Sequence, residues 1–161
     1  MRVFLAGLVL FFVSTATTLA EELACPELAA AVQVGSCPSE SELKFTFTGY
    51  CSDNRRMYDR GKDMDICENF ENYRRAKNIA LWESGDGTFD AYLSCDLSED
   101  TIKLAKVTGI SIQQQQKLTK VVCAYDGDIT FIYRTKARCT VEGDGDCRAH
   151  PDACKARCES E

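Results

Sequence analysis

Short runs of alternating apolar and polar side chains, separated by turn residues, fill the stretch from Asn78 to Arg138. Lys120–Tyr125 and Ile129–Arg134 flank Asp126-Gly127, a dipeptide that supplies the positive φ angles of a two-residue hairpin turn. Asn78–Glu83 and Thr88–Cys95 flank Ser84-Gly85-Asp86-Gly87, a second hairpin signal. Upstream, Ser41–Thr48 places Leu43, Phe45 and Phe47 on one face and Lys44, Thr46 and Thr48 on the other, the pattern of a half-buried strand. Thr101–Val107 reads as a further strand that turns at Thr108-Gly109 into Ile110–Ile112. Seven or eight strands joined by tight turns predict a mostly β fold, an antiparallel meander that closes into a barrel or, alternatively, a β-sandwich. The parity of apolar positions puts Ile79 and Leu81 on the buried face and leaves Trp82 as a surface anchor.

The flanks read differently. Cys25–Val32 can form a short N-terminal helix, ended by Gly35 and Pro38. Ser52–Lys77 is polar and mixed in charge, a cysteine-tethered loop with a short strand at Arg56–Tyr58 and a helical turn or two within Ile66–Arg75. After Thr140 an acidic loop, Glu142–Asp146, precedes Pro151–Cys158, a predicted C-terminal helix that carries Cys154 and Cys158 on one face.

Residues 1–20 have Arg2, an apolar run from Val3 to Val13 and the small-residue end Thr18-Leu19-Ala20, the three parts of a secretory signal peptide. The run is too short to anchor the chain across a bilayer, so no membrane partner is expected. The organisation is then a signal peptide at 1–20, a β domain at 21–140 and a cysteine-rich tail at 141–161. Without the signal, 18 basic side chains face 25 acidic ones, a formal charge of −7. That balance argues against nucleic acid, because a phosphate backbone is held by concentrated Lys and Arg. Even the most basic stretch, around residues 53–77, interleaves acids with its bases.

Ten cysteines, Cys25, Cys37, Cys51, Cys67, Cys95, Cys123, Cys139, Cys147, Cys154 and Cys158, follow the signal. An even count in an exported chain predicts about five disulfides, with the pairing open. Those that bracket Ser52–Lys77 and crowd the tail are expected to pin both segments onto the barrel.

Catalytic and cofactor signals are sparse. His150 is the sole histidine and has no partner motif around it, so no catalytic residue is assigned and no cofactor is expected. Cys147, His150, Cys154 and Cys158 could be drawn as a zinc site, but their spacing is uncommon and oxidation competes, so no metal is assigned. Asp144 and Asp146, or Asp86 and Asp90, could meet calcium weakly, though neither run has the glycine and terminal glutamate of an EF-hand loop and turn chemistry explains the Asp-Gly pairs without an ion. Phe45, Phe47, Phe89, Tyr125, Phe131 and Tyr133 either fill the core or line a pocket for a small apolar ligand.

Phe45-Thr-Phe-Thr-Gly-Tyr-Cys-Ser52, Leu81-Trp-Glu-Ser-Gly85, Lys120-Val-Val-Cys-Ala-Tyr125 and Ala137-Arg-Cys139 resemble the spaced blocks of a group of invertebrate secreted cysteine-rich domains. The resemblance covers about residues 37–140 and implies a lipocalin-like β-barrel. The functional expectation is a secreted, non-enzymatic extracellular interaction protein, a component of an acidic or shell-type matrix with a matrix or protein partner. Two alternatives stand beside it: a carrier or scavenger of a small apolar ligand, and a toxin or protease inhibitor.

Overall fold

The computed structural model describes residues 20–53 and 64–159. Residues 1–19 of the expected signal peptide and the strand expected at Arg56–Tyr58 lie outside the described residues, whereas Ala20, its expected last residue, is the first of a strand.

Two antiparallel sheets share one core. The larger has six strands in the order β2 (Val32–Gln33), β3 (Ile79–Glu83), β4 (Asp90–Ser94), β7 (Thr130–Thr135), β6 (Leu118–Tyr125) and β5 (Val107–Gln115). The smaller sets β1 (Ala20–Ala24) and β8 (Arg138–Val141) on either side of β9 (Lys155–Glu159). Strands β4 to β7 are not a meander. β4 pairs with β7 and the chain crosses to β5 at the far edge, the order of a Greek key. Among the described residues the six-stranded sheet stays open, with β2 and β5 as its edges, so the expected barrel closure is not seen. Leu23, Cys139 and Ala156 of the small sheet pack in the same cluster as Trp82, Val121, Cys123 and Phe131 of the large one.

Both hairpins form where their turn residues stand. Ser84 N–H donates to the Phe89 carbonyl across the first. The second is a three-residue loop rather than the expected two-residue turn, with Gly127 and Asp128 both at positive φ. No turn occurs at Thr108-Gly109. β5 runs through it with a bulge, and a tight turn at Gln116-Lys117 leads into β6 instead.

The segment read as a strand at Ser41–Thr48 is helical. It lies within α1 (Glu40–Cys51), started by a capping box in which Glu42 N–H donates to Ser39 Oγ and Ser39 N–H to the Glu42 carboxylate. Beneath the alternation runs a helical period, Leu43, Phe47 and Tyr50, and that face packs onto α3 (Phe70–Lys77), which follows a short helix, α2 (Met64–Cys67). Thr101–Leu104 is likewise helical, in α4 (Glu99–Leu104). Ser98 caps it, Glu99 and Asp100 sit in its first turn and Lys103 in its last, charges that suit the helix dipole. Leu104, off the buried side, is exposed.

Both predicted terminal helices are replaced. Residues 25–32 keep one 3-10 turn at Leu28–Ala30, because Cys25 N–H donates to the Cys154 carbonyl and holds the chain extended. In the tail, Pro151–Ala153 form a 3-10 turn and β9 follows, with Ala156 and Cys158 inward. Trp82 is 5% exposed and is no surface anchor. Ile79 to Trp82 is apolar on both faces, so alternation could not choose. Packing does: Trp82 lies opposite Ala91 and Ala80 opposite Leu93, large against small on the inner face.

The disulfides join Cys25–Cys123, Cys37–Cys95, Cys51–Cys67, Cys139–Cys158 and Cys147–Cys154. Two of them close segments on themselves rather than pinning them to the frame. Cys51–Cys67 bridges the ends of the polar segment, and Cys147–Cys154 closes a loop within the tail. The acidic loop has a structural task. Gly145, at φ +79, lets the chain lie against β5, where Ile110 N–H donates to the Gly145 carbonyl and Cys147 N–H to that of Thr108. This covers the start of an open edge.

Candidate functional site

Of the two readings of the aromatic set, core filling holds for Phe89, Tyr125, Phe131 and Tyr133, and the six do not assemble into one pocket. Phe45 is 81% exposed on the outer side of α1, and Phe47 stacks with Phe70 and Tyr73 in the helical region. Phe89, Phe131 and Tyr133 fill the core, with Phe89 against Tyr133 and Phe131 against Tyr125. Of the six, Tyr125 lines a cavity.

That cavity is a cleft of about 730 Å³ at one end of the frame. Three segments wall it. Residues 24–29 form one side, where the 3-10 turn packs against α4; the end of α4 and the start of β5 form the second; the 151–152 turn and Lys155 form the third. Its apolar surface comes from Pro26, Leu28, Ala29, Ala105, Val107 and Pro151. The volume is of the size that holds a drug-sized ligand, about 300–1,000 Å³.

Tyr125 closes the back. Its hydroxyl donates to the Pro26 carbonyl at 2.6 Å, and burial pushes its pKa well above the ordinary phenol value. The phenol therefore stays protonated and ties β6 to the N-terminal wall. Lys103 pairs with Glu99 at 2.6 Å and Lys155 with Glu22 at 2.7 Å. The second pair raises the Lys155 pKa and lowers that of Glu22, each through the hydrogen bond and charge of the other.

A second surface lies on the outer face of the large sheet. Val32 and Val34 are 52% and 54% exposed, and Tyr92 is 64% exposed. Leu81 joins them: Val34 N–H donates to its carbonyl, and it stands directly opposite Tyr92. The result is an apolar row beside the short edge strand β2, bordered by the Arg134–Asp90 ion pair. Contiguous exposed apolar rows of this kind mark interaction surfaces.

Among the described residues no group of three or more His, Cys, Asp and Glu side chains is arranged to hold a metal ion. Cys147, Cys154 and Cys158 are in disulfides, and His150 is exposed. No helix among the described residues is long and apolar enough to cross a membrane.

Sequence reasoning missed Glu27, Lys103, Lys106 and Lys155. They come from three distant stretches of chain and carry no shared motif; only Tyr125 was legible, through its place in the aromatic set. No family model, curated protein or solved structure matches this chain.

Proposed function

We propose that this is a secreted, non-enzymatic binding protein that takes a small, largely apolar ligand in the cleft between residues 24–29, α4 and the 151–152 turn. The observation that carries the reading is the cleft itself, a 730 Å³ concavity that combines an apolar set, Pro26, Leu28, Ala29, Ala105, Val107 and Pro151, with charged side chains. Binding is favoured over chemistry by the state of those groups. Burial of the Tyr125 phenol and the Glu22 partner of Lys155 move both groups further from neutral pH, whereas a general acid or base works best with a pKa near the operating pH. Export is supported by the leader-like residues 1–20 and by five disulfides, which persist in oxidising compartments. This reading keeps the carrier function of the lipocalin-like expectation without its closed barrel, and kinship with the invertebrate cysteine-rich group is part of the proposal.

Native mass spectrometry of protein purified from its source tests it. A bound small molecule is expected on the wild type and absent from Ala29→Trp, which fills the cleft from an exposed position. Ligand retained by a folded Ala29→Trp variant would place binding elsewhere.

The apolar row of Val32, Val34, Leu81 and Tyr92 favours a second reading, engagement of an extracellular protein or matrix partner. Pull-down from secreted matrix by wild type and Tyr92→Asp is the comparison, with recovery expected to fall in the variant. Equal recovery by both would remove the row from that reading.

A further inference from the structure

The charges around the cleft are unevenly satisfied. Five charged side chains line it: Glu27, Lys103, Lys106, Asp152 and Lys155. Lys103 is matched by Glu99 and Lys155 by Glu22, and the charge of Asp152 also acts on Lys155. Glu27 and Lys106 remain, one of each sign, with no ion-pair partner among the described residues. Neither is left over from local structure. Glu27 stands at the cap position of the Leu28–Ala30 turn, yet its side chain makes no capping hydrogen bond. Lys106 is positioned through its backbone, whose N–H donates to Asp126 Oδ2 at 3.3 Å and whose carbonyl accepts from Asp126 N–H at 3.0 Å. That leaves its ammonium group available at the rim. The two residues belong to different walls, 24–29 and the α4–β5 junction, with Pro26, Leu28 and Val107 also on those walls.

We propose that the cleft selects a small amphipathic zwitterion, its cationic group at Glu27, its anionic group at Lys106 and its apolar body along Pro26, Leu28 and Val107. This rests on the ligand-binding reading of the same cleft. A ligand with one charge would cover the other rim charge with apolar surface and leave it partly desolvated without a partner, and a neutral ligand would do so to both. A zwitterion matches both. Because the rim is wet, each match is expected to change affinity by about two- to fivefold rather than by orders of magnitude.

The test uses the mature, disulfide-intact protein and four probes that share a dodecyl chain, each below its micellar concentration: dodecylphosphocholine, dodecanoate, dodecyltrimethylammonium and dodecyl maltoside. Titration calorimetry is expected to rank the phosphocholine tightest. Glu27→Gln should weaken phosphocholine about two- to fivefold and leave dodecanoate unweakened, and Lys106→Gln should do the same while sparing dodecyltrimethylammonium. Equal binding of all four probes, abolished by Ala29→Trp, would overturn the zwitterion selectivity and leave the binding cleft standing. No binding by any probe, or binding untouched by Ala29→Trp, would overturn both.

Discussion

The two-sheet frame and the helical region of α1, α2 and α3 use the same materials, aromatic side chains and disulfides, over different sequence distances. In the frame, Cys25–Cys123 joins residues 98 apart and lands on β6, the strand whose Val121, Cys123 and Tyr125 sit in the shared core. In the helical region, Cys51–Cys67 closes a separation of 16, and Phe47, Tyr50, Phe70 and Tyr73 form an aromatic cluster of their own. Among the described residues, ties from the region to the frame gather around Cys95 and Asp96. Cys37 bonds Cys95, Asn78 accepts from Cys95 N–H, and Asp96 accepts from both Arg74 and Asn78. A long-range crosslink is thus part of the frame's core, whereas the described helices are held by local ties and by the contacts around Cys95 and Asp96.

The largest expected effect separates the two disulfides. Removing Cys25–Cys123 by paired serine substitution relaxes a 98-residue closure, worth about 4.7 kcal/mol in the chain-entropy relation. Removing Cys51–Cys67 is worth about 3 kcal/mol by the same relation. Trp82, the sole tryptophan, lies in the frame and reports on it. Its fluorescence melt should shift strongly for the first pair and little for the second, whose loss should appear as faster amide exchange in α1 and α3. Equal melting shifts would mean the two regions unfold as one.

Next in size is a pair of aromatic truncations. Phe131→Ala should destabilise the frame by about 3–5 kcal/mol, because the ring is fully buried. Phe45→Ala should stay within about 0.5 kcal/mol, as its ring faces solvent. Urea unfolding curves followed by Trp82 give both values.

A smaller effect probes the attachment. Asp96→Asn removes the charge that Arg74 and Asn78 share, so exchange should quicken along residues 70–78 while β6 and β7 stay protected. Faster exchange in β6 would show that the fastening also stabilises the frame.

The smallest effect is electrostatic. Lys155 holds the Glu22 carboxyl below its ordinary value of 4.5 in the frame, and Ser39 does the same for Glu42 at the start of α1. For both, the stabilisation is complete above the ordinary carboxylate value and is lost as pH falls through the lowered one. The raised Lys155 pKa sets the opposite limit, with its contribution lost as pH rises through that value. Carboxyl-carbon NMR titration should place both acids below 4.5, and Lys155→Met should raise Glu22 toward that value while leaving Glu42 lowered. A Glu22 unchanged by the substitution would break the assigned cause.

The readable parts of the fold were those with a local cause. Ser84-Gly85-Asp86-Gly87 and Asp126–Asp128 turn because Gly and Asp adopt such conformations at low cost, and the strands beside them follow. Ser41–Thr48 misled because Leu43, Phe45 and Phe47 satisfy a strand while Leu43, Phe47 and Tyr50 satisfy a helix. The decisive signal was Ser39 with Glu42 three residues on, a capping box just before the apolar run. Ser98 followed by Glu99, Asp100 and Lys103 is the same kind of start signal ahead of α4. The cleft had no such signature, since its walls meet only after β1, α4 and the tail are in place.

From its own residues the chain determined a mostly β character, its two clearest hairpins and enough cysteines for five crosslinks, because these follow from local conformational preference and composition. Tertiary structure decided the rest. Whether Leu81 or Trp82 faces inward depended on Ala91 and Leu93 across the strand pair, and whether residues 25–32 coil depended on a hydrogen bond to Cys154. The disulfide partners, the crossing from β4 to β5 and the meeting of Glu27 and Lys106 at one cleft likewise join residues far apart in sequence. Such contacts are set by which surfaces can be buried together, a quantity that no local run of residues contains.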